Sequence, residues 1–214
     1  EANYYGGRSG IPQNWNGGLH YSNKFNNSKQ ILNSGYKISK VNSPSGERTY
    51  TTNFVGDSSF SSNKITSGFS SKLKQSLNVS FETNIDSSNS LKFTARGNLN
   101  NTKSNSTYNL QSLNSKLLLI NNSSRTTSST IDNSALNTNL LWKHKFKKLA
   151  RTLTINASYN LSNSNTDSYL FSKNDYYDNG IPYRIDTTDQ ENKRENKSNT
   201  FATTITYTEP LAKD

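Results

Sequence analysis

Cysteine is absent from this sequence, and with it any disulfide framework, thiolate nucleophile or cysteine-based metal site. Methionine is absent too, so Glu1 is not a translation start and the chain reads as a mature or excised piece. Apolar residues are scarce, at 29% of the 214 residues, against roughly 45–50% in an ordinary soluble domain. No apolar run approaches the roughly 18–20 residues of a membrane helix. No signal peptide is visible, and an excised piece would not show one. The lack of helical spans still leaves a β-barrel open, because barrels carry their apolar band at alternate positions. Acidic residues are in the minority, 15 against 25 Lys and Arg, for a net charge of +10.

Asn, Ser and Thr take the place of the missing apolar residues. Such polarity resembles a disordered chain, but disordered chains are poor in aromatics. This one has 12 Tyr, 9 Phe and 2 Trp, and rings at that density need a folded surface to hold them.

Alternation is clearest from Leu77 to Leu99. Leu77, Val79, Phe81, Thr83 and Ile85 take one set of alternate positions, while Ser76, Asn78, Ser80, Glu82 and Asn84 take the other. Period two marks a strand with one apolar and one polar face. A turn composition follows at 86–90, and then Leu91, Phe93, Ala95, Gly97 and Leu99 alternate with Lys92, Thr94, Arg96 and Asn98. Pairing Ile85 with Leu91 sets Leu77 opposite Leu99 and puts both apolar sets on one face.

A second hairpin is expected over 136–161. Leu136, Thr138, Leu140, Trp142, His144 and Phe146 share one face, and Asn137, Asn139, Lys143 and Lys145 the other, with Leu141 the exception. After the basic turn at 147–151, Leu153, Ile155, Ala157, Tyr159 and Leu161 alternate with Thr154, Asn156, Ser158 and Asn160. Each arm alternates over about ten residues, matching the roughly 9–11 that cross a bilayer at a tilt. A third, fainter pair sets Trp15, Gly17, Leu19, Tyr21 and Phe25 before a turn at 26–29, with Leu32, Ser34, Tyr36 and Ile38 after it. Near the C-terminus Phe201, Thr203, Ile205 and Tyr207 alternate with Ala202, Thr204 and Thr206, until Glu209-Pro210 ends the strand.

The connections alternate in length. Those at 26–29, 86–90, 147–151 and from 209 are short, whereas 42–68, 104–134 and 164–198 read as long polar loops. Tyr50 to Phe60 has strand character, either extending a wall strand or forming a hairpin within its loop. Short turns at one end and long loops at the other form the outer-membrane barrel arrangement, with periplasmic turns and extracellular loops.

The expected fold is therefore all-β: an antiparallel transmembrane β-barrel, present in part as about seven strands of a larger barrel. Residues 1–214 form a single segment of that barrel domain, with plug and remaining strands absent. Leu77, Val79, Phe81, Ile85, Leu91, Phe93, Leu136, Leu140, Trp142, Phe146, Leu153, Ile155, Tyr159, Phe201, Ile205 and Tyr207 are expected to face lipid. Asn78, Ser80, Lys92, Arg96, Lys143, Asn156 and Ser158 are expected to face the lumen. In hydrocarbon every backbone N–H and C=O must pair, so the strands near Trp15 and Phe201 should lack second partners within this chain. A soluble sandwich or solenoid shares the alternation. The long strands and the aromatics near their ends favour the barrel, because such rings form interfacial girdles.

Four runs support a family resemblance: 12–25 (PQNWNGGLHYSNKF), 84–91 (NIDSSNSL), 140–148 (LLWKHKFKK) and 207–211 (YTEPL). They resemble the outer membrane β-barrel family of Bacteroidota, whose members are often described as TonB-dependent receptor-like. The resemblance covers nearly the whole chain in the right order, and its motifs are strand ends and turns. It implies a large barrel in the cell outer membrane that takes up an unidentified small-molecule or oligomer substrate. It also implies lipid as a partner, and a TonB-type energy-coupling protein reached through regions outside this chain. A surface binding or adhesive protein anchored by a barrel is the alternative.

No enzyme activity and no cofactor are expected. His20 and His144 lie in different strands, which gives no metal-ligand set. The acidic cluster Asp175, Asp178, Asp186, Asp189, Glu191 and Glu195 reads as a solvated loop rather than a calcium site, although Asp178 and Gly180 hint at one. No Ser-His-Asp elbow, phosphate loop or dinucleotide fingerprint is present. The basic run Lys143, Lys145, Lys147, Lys148 and Arg151 interleaves with Trp142 and Phe146. Parity separates those rings from Lys143 and Lys145, so a basic periplasmic rim or contact with lipid phosphate is preferred and no nucleic acid is expected.

Overall fold

The computed structural model describes residues 2–56 and 58–210. It is all-β, with one antiparallel sheet and no helix among the described residues. The strands are β1 (Ala2–Ser9), β2 (Gln13–Phe25), β3 (Gln30–Val55), β4 (Ser58–Asn84), β5 (Asn89–Leu113), β6 (Leu119–Lys145), β7 (Thr152–Asp178) and β8 (Ile181–Thr208). β1 pairs with the second half of β3 and β2 with the first half. These two strands thus lie end to end in one column beside β3, and eight strands make seven columns, β3 to β8 following in chain order.

The contacts between strands are confined to sheet neighbours. Among the described residues no second layer covers either face, so they do not form a sandwich. Among the described residues no hydrophobic side chain is fully buried. The sheet is also not closed: β2 pairs only with β3 and β8 only with β7. Among the described residues the strands carrying Trp15 and Phe201 each pair on one side, with β3 and with β7.

Three features differ from the sequence reading. The segments 42–68, 104–134 and 164–198 are not long loops. Each is strand running up to a tight turn and back, so that Val55 pairs with Ser58 and Asp178 with Ile181. Consequently the strands from β3 onward reach 25–28 residues. The strand character of Tyr50 to Phe60 comes from extension of β3 and β4. The acidic cluster likewise sits on or at the end of β7 and β8.

The register of the first hairpin also differs. Leu77 pairs with Gly97 and Thr83 with Leu91, two residues from the expected pairing. The reason lies in the turn. The Asp86 carboxylate accepts from the Ser88 and Asn89 backbone N–H groups, both at 2.7 Å, and from the Asn89 side-chain amide. This Asx turn closes early enough to put Asn89 in the strand. A slip of two preserves parity, so both apolar sets still share a face.

The remaining near-end turns stand where the sequence put them. Asn26, Asn27 and Ser28 all take positive φ, and Phe25 pairs with Gln30 across them. At 147–151, Ala150 has φ 60° and the Arg151 N–H donates to the Lys148 carbonyl.

Candidate functional site: a sheet with two unlike faces

The register carries each row of side chains across the whole sheet. One row runs Phe25, Gln30, Thr83, Leu91, Trp142, Ile155 and Ile205. The next row up runs through Leu32, Phe81, Phe93, Leu140 and Ala157, and above it come Tyr21, Val79, Ala95, Tyr159 and Phe201. Then Leu19, Tyr36, Leu77, Leu136 and Leu161 share a row with Gly97. Ile38 with Leu99, and Trp15 with Leu73, close the apolar band. From Leu73 to Thr83 this band extends about 34 Å along β4 at roughly 3.4 Å per residue.

The residues proposed from sequence as one face do share it: Leu77, Val79, Phe81, Leu91, Phe93, Leu136, Leu140, Trp142, Leu153, Ile155, Tyr159, Phe201, Ile205 and Tyr207. Ile85 and Phe146 lie just past the ends of β4 and β6. The polar set Asn78, Ser80, Lys92, Arg96, Lys143, Asn156 and Ser158 occupies the opposite face. The candidate set omitted Leu19, Tyr21, Phe25, Leu32, Tyr36 and Leu161, which the same parity rule reaches. Gly17, Gln30 and Ser34 interrupt the alternation there and weaken the signal.

Nothing among the described residues covers the apolar face. Leu19 is 79% exposed, Phe201 69% and Ile205 65%. In its middle, Gly97 leaves a notch between Leu77 and Leu136 that no Cβ fills. The depression there, of about 380 Å³, is lined by apolar neighbours including Leu99 and Leu161.

Rings gather at the short-turn end. Trp142 stacks on His144 at 5.8 Å, His144 meets Phe146 edge-on at 4.6 Å, and Phe146 reaches Tyr207 at 6.1 Å. Asn89 orients His144 through a 2.8 Å hydrogen bond to Nδ1. His20 lies on the polar face and His144 on the apolar one, so the two histidines do not converge.

Just beyond the rings, Glu209 accepts from Arg151 at 2.9 Å, from Tyr207 at 2.6 Å and from Lys148. Those donors, Arg151 first, hold its carboxyl at about 2, below the ordinary 4.5. The Arg151 guanidinium also lies 5.9 Å from the Phe146 ring. Leu211, the last residue of the run 207–211, lies outside the described residues.

Past Leu73 the strands continue for roughly another 50 Å on β4, and both faces become predominantly polar, with apolar side chains such as Ile65, Phe69 and Phe171 scattered singly on the band face. Ser71 bonds Asn42 at 2.8 Å, Ser67 meets Thr107 at 2.6 Å and Asn101 bonds Asp132 at 2.6 Å on one face. Ser129 meets Ser168 at 3.0 Å on the other. Such cross-strand pairs satisfy their own polar groups without needing a second layer.

A scan against family models and a search of curated proteins both find no match to this chain.

Proposed function

We propose that this chain is a section of the wall of an outer-membrane β-barrel, of the TonB-dependent receptor-like kind, that admits a solute across the outer membrane. The observation behind this reading is an apolar sheet face that, among the described residues, has no cover and no buried core beneath it. An apolar band of this extent needs a partner medium. At a tilt of roughly 40° its height is about 26 Å, near the roughly 25 Å apolar band of outer-membrane barrels. The ring cluster at Trp142, Phe146 and Tyr207, followed by Lys147, Lys148 and Arg151, supports an interface with lipid headgroups at the short-turn end. In this reading the apolar face meets lipid, the polar face lines the lumen, and further strands of the same polypeptide pair with β2 and β8. Uptake rather than anchoring rests on the family resemblance.

The polar reach of the strands beyond the band supports a second reading, a surface-binding protein for which the barrel is an anchor. A plug and a TonB-contact segment in the full-length sequence favour uptake, and a plugless barrel favours anchoring.

The test is envelope fractionation of cells making the full-length protein, followed by electrophoresis with and without boiling. Outer-membrane enrichment with a heat-dependent mobility shift is the expected result. A soluble protein with no shift removes the barrel and transport together.

A further inference from the structure

The charges of this chain are sorted between its two faces. Within the regular ladders from Gln13 to Thr208, the apolar-band face has Lys40, Arg48, Lys103, Lys173, Lys193 and Lys197. Against these stand Asp132, Asp167, Asp175, Asp189, Glu191 and Glu195, so that face is balanced. The polar face is different. Its acids are Glu47, Glu82 and Asp186, and each is taken up locally, by Lys64, Lys92 and Arg184.

A further set of cations on that face has no carboxylate partner among the described residues. Lys37, Lys72, Lys74 and Arg96 cluster on β3, β4 and β5 at the height of the apolar band and its upper margin. Lys24, Lys143 and Lys145 lie towards the short turns, and Arg125 and Arg194 on the polar extension. All nine are exposed. Nearly the whole net charge of +10 therefore sits on one face.

Composition does not dictate this sorting, because strand parity alone decides where each lysine goes. Like charges on one face repel, and the face keeps them without neutralising partners. Most of their neighbours in the rows are Ser, Asn and Thr, among them Ser76, Asn78, Asn98 and Asn137, whereas Lys24 pairs with Ile31, Lys72 with Val41 and Arg125 with Tyr108. These short amides and hydroxyls donate hydrogen bonds to oxyanions without filling the space between the cations.

We propose that the polar face is an anion-binding surface, and that the solutes it guides carry several phosphate, sulfate or carboxylate groups. This rests on the lumen reading above for where the solute travels, but not for the binding itself. Inside a barrel the low-dielectric wall focuses the field of these cations, raising the local concentration of anions and excluding cationic solutes. The rows place positive charge at intervals from the short-turn end to the extension. An elongated polyanion can thus shift from one group to the next without a single tight site.

The experiment uses the full-length protein, folded in non-ionic detergent, with pyrene trisulfonate as an anionic probe followed by fluorescence anisotropy. A cationic dye of similar size serves as the comparison. The expected result is binding of the trisulfonate but not of the cationic dye, lost at about 1 M salt, where screening acts within roughly 3 Å. Replacing Lys37→Gln, Lys74→Gln and Arg96→Gln together weakens binding about tenfold. Lys40→Gln with Lys103→Gln on the other face, or Lys147→Gln with Lys148→Gln in the turn, leaves it unchanged.

Absence of trisulfonate binding, or equal loss in all three variants, overturns the proposal. The heat-dependent mobility shift of each variant is measured alongside. A shifted, folded barrel that does not bind the probe sinks the anion surface alone. A protein that binds the probe through Lys37, Lys74 and Arg96 but shows no shift and no membrane enrichment keeps the surface and loses the lumen.

Discussion

On the short-turn side of Leu73 the sheet has one apolar face and one polar face, whereas on the far side both faces are predominantly polar and apolar side chains stand singly. The backbone does not register the change. β4 pairs without interruption from Ser61 to Asn84 with β5, and β3 from Gln30 to Val55 with β4. The ladder is the same on both sides of Leu73, whatever the side chains on its faces. The apolar side chains decide which medium each region tolerates rather than whether strands form.

That contrast is most sharply tested by labelling. This chain contributes no cysteine, so in a full-length protein cleared of any other cysteine a single replacement reports one position. In cells making the full-length protein, Val79→Cys and Phe81→Cys should resist a membrane-impermeant maleimide almost completely. Thr107→Cys and Thr126→Cys, on the same face beyond the band, should react almost fully. Equal reactivity in both regions removes the contrast.

A stability series comes next in size. If the proposed barrel holds, Phe81→Arg and Leu140→Arg should each cost about 2–4 kcal/mol in denaturant unfolding of the full-length protein in lipid vesicles. Asn78→Arg and Asn156→Arg, on the other face, should cost well under about 1 kcal/mol. Phe69→Arg, on the apolar-face parity but above the band, should behave like the second pair. A large cost at Phe69 would mean that the band continues upward.

Smaller effects separate the turns at the two ends. Gly180 has φ 80°, and a Cβ there meets nothing closer than Leu118 at 4.0 Å. Gly180→Val should therefore cost about 1–2 kcal/mol through backbone strain alone, seen as lost hydrogen-exchange protection at the far tip with membrane insertion intact. Asp86→Ala removes the acceptor that closes the near turn. It should loosen the β4–β5 hairpin by about 1 kcal/mol, and insertion yield should fall with it.

The smallest effect is one of pH. Glu209 is held at about 2, below its ordinary 4.5, mainly by Arg151. A depressed carboxylate contributes its stabilising link above the ordinary value and loses it as pH falls from about 4.5 through about 2. Amide exchange in 147–151 should quicken over that window, and Glu209→Gln should flatten the response.

The near half of this architecture was legible because alternation and turn composition coincide there. The turns at 26–29, 86–90 and 147–151 and the parity of Leu77, Phe81, Leu140 and Ile155 follow from that coincidence. The register of the first hairpin was not, because side-chain bonds from Asp86 set the turn length and parity is blind to a slip of two. The far half stayed hidden because with polar residues at both parities the period-two signal vanishes. Asn179-Gly180, positive in φ at both positions, is a type I′ hairpin signal. The mostly polar stretches on either side of it leave the strands around it unmarked in the sequence. The sorting of charge became visible only once the register joined distant strands into rows.

Contacts confined to sheet neighbours make this molecule close to a one-dimensional array. In such arrays stability is approximately a sum of unit and nearest-neighbour terms. A defect in one strand is then felt by its two flanking strands and little further. The natural unit of gain or loss is the hairpin. Removing β4 and β5 together would bring β3 against β6, still antiparallel and with even-numbered residues of both on the apolar face. Removing a single strand would set parallel neighbours beside each other. The width of such a sheet can therefore change over generations in steps of two strands without any row losing its chemistry.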